Sequence, residues 1–434
     1  MKKFFILSIL LMPSLIFAQG GMKTLIKAGK FFNSETGVFQ SDIAIIVAND
    51  KIEYVKQFKE VSEKEKSDCK LIDLSKYTIV PGLIDAHTHL LNNETVLPEN
   101  KYLGLDMMKT LTMVGDAYRA IFGTVKAKAY LVAGITSVQD LGNAGQFADI
   151  ALRKSINVGL IDGPRMRCAG MGLASEGATI PKIIYKHRSI INDEYRIVRS
   201  PEDAIQAVRE NITQGADIIK IYSNNTVNIT ALSIEEMKAI VNEAHRYGIR
   251  VTAHATSNQA TYNAVISGVD GIEHGDQIQD TTFQLMAKKG VIFVPTYMDN
   301  FTSKKYFQLA YPDRWESILK FGNDYQKIHL QNAIKYGVTI AAGSDATEDL
   351  QIPFGESSKR TLISYFELGM TIPEILITAT INASRQLNWS DKIGIIKPGY
   401  LADIIAVDND LENNINAILN VHFVMKDGKV YVNN

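Results

Sequence analysis

The sequence predicts an α/β fold: a (β/α)8 TIM-like barrel with a small β-sandwich domain built from both chain ends. Three observations predict it. From about residue 130 one unit recurs: an amphipathic helical stretch, a glycine, then a short apolar strand closing on a polar residue. The strands are near-continuous apolar runs, as parallel strands covered on both faces require. Both ends of the chain instead alternate with a period of two, the pattern of a sheet with two different faces. At 434 residues and 46% hydrophobic side chains there is material for one large domain or two.

Taken in order, residues 1–18 carry Lys2 and Lys3, then an apolar stretch broken by Ser8, Pro13 and Ser14, and end on the small Ala18. That is the pattern of a secretory signal, too short and too interrupted for a membrane span. Residues 19–80 and 389–434 form the sandwich, with a turn expected at Asn49-Asp50. Residues 81–388 form the barrel. Its eight candidate strands lie at 79–86, 135–140, 165–170, 218–220, 251–254, 272–274, 291–295 and 338–345. Gly134, Gly215, Gly248, Gly268, Gly290 and Gly337 stand where helices end and the chain turns left-handed. Ser200-Pro201-Glu202-Asp203 and Ser233-Ile234-Glu235-Glu236 read as helix starts, a capping hydroxyl ahead of acidic residues. A doubly wound open sheet is the competing topology, but no Gly-x-Gly-x-x-Gly follows an early strand.

Charge narrows the function. Lys plus Arg number 46 against 47 Asp plus Glu, so the chain offers no basic field for nucleic acid or anionic lipid. Cys69 and Cys168 are too few for a disulfide scaffold and are expected as free thiols.

In a (β/α)8 barrel the C-terminal strand ends carry the chemistry. Here they close on Asp85-Ala86-His87-Thr88-His89, Lys220, His254, His274 and Asp345. The i, i+2 spacing of His87 and His89 puts both imidazoles on one strand face, as two ligands of one ion need. Neutral imidazoles with a carboxylate suit Zn²⁺ and its neighbours better than a hard cation. Singly, each residue has a plainer reading: Lys220 as a salt-bridging lysine, Asp345 as a helix cap. His187, His245, His329 and His422 are read as ordinary hydrogen-bonded histidines.

The segments Pro81-Gly82-Leu83-Ile84-Asp85-Ala86-His87-Thr88-His89, Ile219-Lys220, Thr252-Ala253-His254-Ala255, Gly271-Ile272-Glu273-His274-Gly275 and Ala342-Gly343-Ser344-Asp345, with the return Lys397-Pro398-Gly399-Tyr400-Leu401-Ala402-Asp403, resemble the amidohydrolase superfamily. The likeness is to its imidazolonepropionase-like and Xaa-Pro dipeptidase-like branch. The resemblance implies two divalent metal ions, zinc expected, bridged by a carbamylated Lys220. His87, His89 and Asp345 would bind one ion, and His254 and His274 the other. It also implies amide hydrolysis by a metal-bridging hydroxide, with Asp345 as the catalytic proton carrier. The lysine favours the binuclear, dipeptidase-like side, since imidazolonepropionases proper use one ion.

The expected substrates are dipeptides or N-acyl amino acids. Tyr222 shares the strand parity of Lys220, and Arg165 and Arg188 are candidates to pair a substrate carboxylate. Where many branch members carry Gly-Gly-His-Gly after strand 3, this chain has Ala174-Ser175-Glu176-Gly177. A single-metal enzyme acting on cyclic amides or by deamination, and an exported binding protein without turnover, are the alternatives. The expected setting is periplasmic or secreted, with no membrane partner after signal cleavage; assembly into a homo-oligomer stays open.

Overall fold

The strands at the N-terminus turn where side chains can hold the turn. In the computed structural model, which describes residues 23–96, 105–225 and 227–434, β1 (Lys23–Asn33) doubles back on β2 (Val38–Ala48). The Asn33 side chain accepts from the backbone of Glu35 and Thr36 at 3.0 and 3.3 Å across that turn. β3 (Lys51–Gln57) follows through the expected Asn49-Asp50 turn, with Asn49 left-handed at φ 54°. The signal segment 1–18 lies outside the described residues.

β4 (Cys69–Pro81) runs parallel to β1, and the C-terminal strands β14 (Ile404–Asp408), β15 (Val421–Lys426) and β16 (Lys429–Asn433) add on its other side. The order β16-β15-β14-β4-β1-β2-β3 is one continuous sheet made by both chain ends. It closes on itself: Ile52 N donates to Tyr400 O at 2.9 Å, and Ala402 N to Asp50 O at 2.8 Å. Ile26, Phe31, Ile45, Ile79, Ile404 and Phe423 fill the apolar interior.

The barrel begins without a loop, because β5 (Leu83–Thr88) follows β4 directly. The expected first strand at 79–86 is thus split between two sheets, its first residues pairing in the β unit and the rest in the barrel. Gly82 sits at the break, where a Cβ would lie 2.2 Å from Thr136 Oγ1. β6 (Ile135–Asp140) and β7 (Arg165–Cys168) pair parallel to β5 in turn. Strand 3 then bends, with Gly170 at φ 63°, and resumes as β8 (Gly172–Ala174), flanked by β9 (Tyr195–Ile197). β8 pairs with β10 (Ile219–Tyr222), and β11 (Val251–Ala255), β12 (Gly271–His274) and β13 (Ile292–Val294) continue the parallel series.

Residues 338–345 close the ring as a ladder of single bonds: Ala341 N to Phe293 O at 2.9 Å on one side, Ala86 N to Ala342 O at 2.8 Å on the other. Helices cover the outside. Ser200 and Ser233 cap their helices by accepting from Asp203 N and Glu236 N, and Gly215 ends its helix left-handed at φ 104°. Cys69 and Cys168 are free thiols in different units. Among the described residues no helix is long and apolar enough to cross a membrane.

Candidate active site

Parallel strands all present their C-terminal ends to one rim, and β5 brings the first two imidazoles there. Asp85, buried within β5, locks this end of the barrel. Its Oδ1 accepts from His87 N and Ser344 N, both at 3.0 Å, and its Oδ2 from the hydroxyls of Ser344 and Ser358, both at 2.6 Å. One carboxylate therefore fixes the spacing between the His87 end of β5 and the segment carrying Asp345. Asp345 N in turn donates to His87 O at 2.9 Å.

The two imidazoles are oriented by acceptors behind them. His87 Nδ1 lies 2.7 Å from Glu273 Oε2, and His89 Nδ1 lies 2.8 Å from Gly142 O. A carboxylate and a carbonyl only accept, so in the neutral rings the proton sits on Nδ1 and the Nε2 lone pair points forward. Those two Nε2 atoms are 3.3 Å apart, and Asp345 Oδ1 is 3.5 Å from the first and 3.2 Å from the second. Three electron-rich atoms this close repel unless a proton or a metal cation joins them. The donor set fits a metal ion.

His274 completes the cluster from β12. Its Nδ1 is 3.0 Å from Thr296 Oγ1 and 3.8 Å from Asp345 Oδ2. His87, His274 and Asp345 each offer one ligand atom, all within 4.8 Å of one another. His254 stands beside them, its ring centroid 4.6 Å from that of His274 and 5.1 Å from that of Tyr222. His274, Thr296 and Asp345 have left-handed backbones, at φ 65°, 54° and 50°. Non-glycine residues persist in that region where surrounding bonds over-determine them, as they do here.

Lys220 lies in the barrel interior at 1% exposure, its Nζ 5.6 Å from the Tyr222 ring centroid. Among the described residues its Nζ makes no hydrogen bond or ion pair. Burial lowers its pKa, partly offset by the charges of Glu273 and Asp345. Burial, then the Lys220 charge, lowers His87 also, and the same two causes bring His254 down to about 3. His274 falls well below the usual range, through burial and the charge of His254. Burial opposes ionisation of Asp345, but the charges of His87, His89 and His274 and the bond from His89 hold its carboxyl well below the usual range. His89 is raised, because its bond to Asp345 and nearby carboxylates outweigh burial. His87, His254 and His274 are thus held neutral beside an ionised carboxylate, the protonation states that metal binding requires.

Of the residues singled out from the sequence, His87, His89, Lys220, Tyr222, His254, His274 and Asp345 meet at this rim. Two do not. Arg165 is the first residue of β7, so it points from the opposite, N-terminal end of the barrel. There its guanidinium bonds Ser137 Oγ at 2.8 Å, Asp403 Oδ2 at 2.6 Å and Asp427 Oδ1 at 2.5 Å, bolting the barrel to the β unit. Arg188 lies exposed in the turn of helix Tyr185–Asp193, stacked 4.1 Å over the Tyr185 ring within its own segment.

Glu273 had no role assigned from the sequence, though a signal for it exists. Registers Lys220↔Thr252, Tyr222↔His254 and His254↔Glu273 place Glu273 on the inner face with the ligand residues. His274, one residue on, has the wrong parity and reaches the site through its left-handed backbone.

Imidazoles and a carboxylate gathered at the C-terminal rim, with a buried lysine beneath, define a barrel enzyme whose chemistry sits among its strand-end loops. The model of the amidohydrolase family matches residues 78–431, and the chain belongs to that family. The ochratoxinase of Aspergillus niger is 27% identical to it over 384 residues, 81% of this chain and 75% of that protein. The imidazolonepropionase of Thermoanaerobacter pseudethanolicus is 24% identical over 379 residues, 80% of this chain and 79% of that protein. A crystal structure of a Xaa-Pro dipeptidase with methionine bound in the active site superposes with a TM-score of 0.79 at 28% identity, over 94% of this chain and 100% of that one. The chain is accordingly a hydrolase acting on amide bonds.

Proposed function

We propose that the enzyme cleaves dipeptides or N-acyl amino acids, using two divalent cations, zinc expected, and a carbamylated Lys220. The observation that carries this reading is the buried Lys220 amine, without a hydrogen bond or ion pair among the described residues, on the same inner face as Tyr222, His254 and Glu273. A lysine whose pKa is lowered by burial has more neutral amine, the form that attacks carbon dioxide. The amine nitrogen bonds to the carbon, one proton leaves to water, and a carboxylate-like group replaces the cation. That change of sign turns a repelling charge into a ligand.

His87, His89 and Asp345 would then hold one cation and His254 and His274 the second, with the carbamate shared. When bound, the pair supplies acidification of water and polarisation of the amide carbonyl. Asp345, held as a carboxylate, takes a proton from the attacking water and returns it to the leaving nitrogen. The buried Tyr222 ring, 5.1 Å from that of His254, borders the substrate position. The similarity to a Xaa-Pro dipeptidase supports the substrate class.

Metal content and carbamate tests decide between this and a single-ion reading, which the compact His87, His274 and Asp345 set and the imidazolonepropionase relative favour. We expect about two ions per chain, a carbamate resonance from labelled bicarbonate, and loss of both on Lys220→Ala. One ion and no carbamate in the wild type supports the single-ion enzyme. A metal-loaded wild type inert on dipeptides, N-acyl amino acids and cyclic amides supports a binding protein, and Asp345→Asn as fast as an active wild type removes Asp345 as proton carrier. We further infer export through the 1–18 segment, checked by the mass of the mature amino terminus from expressing cells.

A further inference from the structure

The helix Asp116–Val132 has two apolar faces, and among the described residues only one of them is covered. Gly123, Ala127, Tyr130 and Leu131 are buried against the barrel. From the same side Lys126 donates to the carbonyls of His89, Asn92 and Ala346 at 3.2, 3.0 and 2.9 Å. The outward face carries Tyr118, Ile121, Val125, Lys128 and Val132, all exposed. A surface helix ordinarily turns polar side chains outward, and one that is apolar all round is a covered helix. The helix Trp315–Lys335 shows the ordinary case: its exposed Phe321 and Ile328 stand among exposed Lys320, Asp324 and Lys327.

Spacing and area together say what would cover it. Positions 118, 121, 125, 128 and 132 step alternately by three and four, the seam of a two-stranded helix pair, and Lys128 is the one charge along it. The turn after the helix Ala148–Asn157 continues the apolar surface through Val158 and Leu160. Leu160 shares an open groove with Val125, Lys128 and Val132. The six apolar side chains are between 39% and 76% exposed. They present roughly 700 Å², above the ~300–600 Å² of a typical monomer's largest patch and near the ~800 Å² that each partner buries in a stable interface. The two ends of the stripe also match each other. Tyr118 stands out at one end, the groove lies beside Val132 at the other, and about 21 Å of helix separates them. Val125 stands midway between the two in the sequence.

We propose that this chain forms a two-fold dimer in which the helix Asp116–Val132 packs antiparallel on its own copy, with the axis at Val125. Tyr118 then enters the groove beside the partner's Val132. Ile121 lies against the methylenes of the partner's Lys128, whose ammonium reaches out to water. The two Lys128 charges fall on opposite sides of the axis and do not face each other. A two-fold pairing needs one surface that fits itself, and a protruding tyrosine and a groove set equally far from Val125 supply it. The pairing is independent of which amide the enzyme cleaves.

Sedimentation velocity of the purified protein at micromolar concentration tests this, and a dimer is expected. Val125→Glu would set two carboxylates face to face on the axis and should weaken the dimer at least about 100-fold, leaving a monomer that circular dichroism shows to be folded. In a Cys69→Ser background, Val125→Cys should give a covalent dimer with a short bifunctional thiol reagent, and the background alone, with its buried Cys168, should not. A monomeric wild type overturns the proposal, and if that monomer floats with phosphatidylcholine vesicles the stripe belongs to a lipid surface instead. A dimer that survives Val125→Glu places the interface elsewhere, and a dimer without the Val125→Cys cross-link refutes the antiparallel two-fold. A wild-type assembly larger than a dimer supports the pairing if Val125→Glu halves it and overturns it if the size is unchanged.

Discussion

Replacing Glu273 by glutamine probes how the site orients its first ligand. Glu273 is fully buried, with Oε2 2.7 Å from His87 Nδ1 and Oε1 accepting from Thr252 Oγ1 at 2.5 Å. Gln386 Nε2 also approaches Thr252 Oγ1, at 3.4 Å. A glutamine can still offer an oxygen to His87, but its amide then points a second donor at Thr252, and the charge that fixes the ring is gone. Losing the charged part of such a bond costs about 1.5–3 kcal/mol, roughly 10- to 100-fold. The retained oxygen places the expectation near the low end, about a tenfold rise in metal Kd, in the range found for partners behind metal-binding histidines. Competition against a chelator, with circular dichroism to confirm folding, measures it. Unchanged metal affinity in a folded Glu273→Gln variant would refute the claim that this carboxylate sets the tautomer and aim of His87. Glu273→Ala should be worse, because it also strips Thr252 of its acceptor and leaves an empty space in the barrel interior.

Other perturbations follow from the same coordinates. Gly343→Ala would put a Cβ 2.4 Å from Val294 Cγ1, 2.8 Å from His87 Cβ and 3.0 Å from His87 N. We expect about 1–3 kcal/mol of destabilisation together with weakened metal binding; a thermal melt and metal titration that match wild type would contradict it. Arg165→Ala leaves the buried Asp403 without its charged partner, keeping only the bond from Asp427 N, and should cost about 3 kcal/mol in urea unfolding while KM stays unchanged. A raised KM with unaltered stability would return Arg165 to the substrate. His329 has Tyr297 Oη 2.6 Å from Nδ1 and accepts from Ile278 N at 3.2 Å, so a second ring proton would face a donor. Burial lowers its pKa from 6.5 to about 4, so the unfolded chain takes up the proton first as pH falls. Its contribution is whole above about pH 6.5 and is lost between there and about 4, on the order of 3 kcal/mol. His329→Gln should flatten stability against pH over that window, and an unchanged slope would count against the assignment.

Legibility in the sequence tracked how local each cause was. Glycine after a helix and serine before one act through their own backbone, so the caps at Ser200, Ser233 and Gly215 stood where the pattern placed them. The polar strand ends were readable because parallel strands share one direction: with His87, His89, Lys220, His254 and Asp345 closing the first, fourth, fifth and eighth strands, the fold itself implied a common rim. Arg165 and Arg188 misled because charge type alone carries no direction. The first sits at the wrong end of its strand, and the second is turned onto its own tyrosine.

Composition and pattern by themselves determined that a parallel barrel carries a β unit made from both ends, and which residue types close its strands. Packing decided the rest. Whether Glu273 stands behind His87 and how a left-handed turn swings His274 across its strand's parity both depend on atoms brought together from distant parts of the chain. Periodicity says which way a side chain leaves the backbone; only the closed barrel says what it meets.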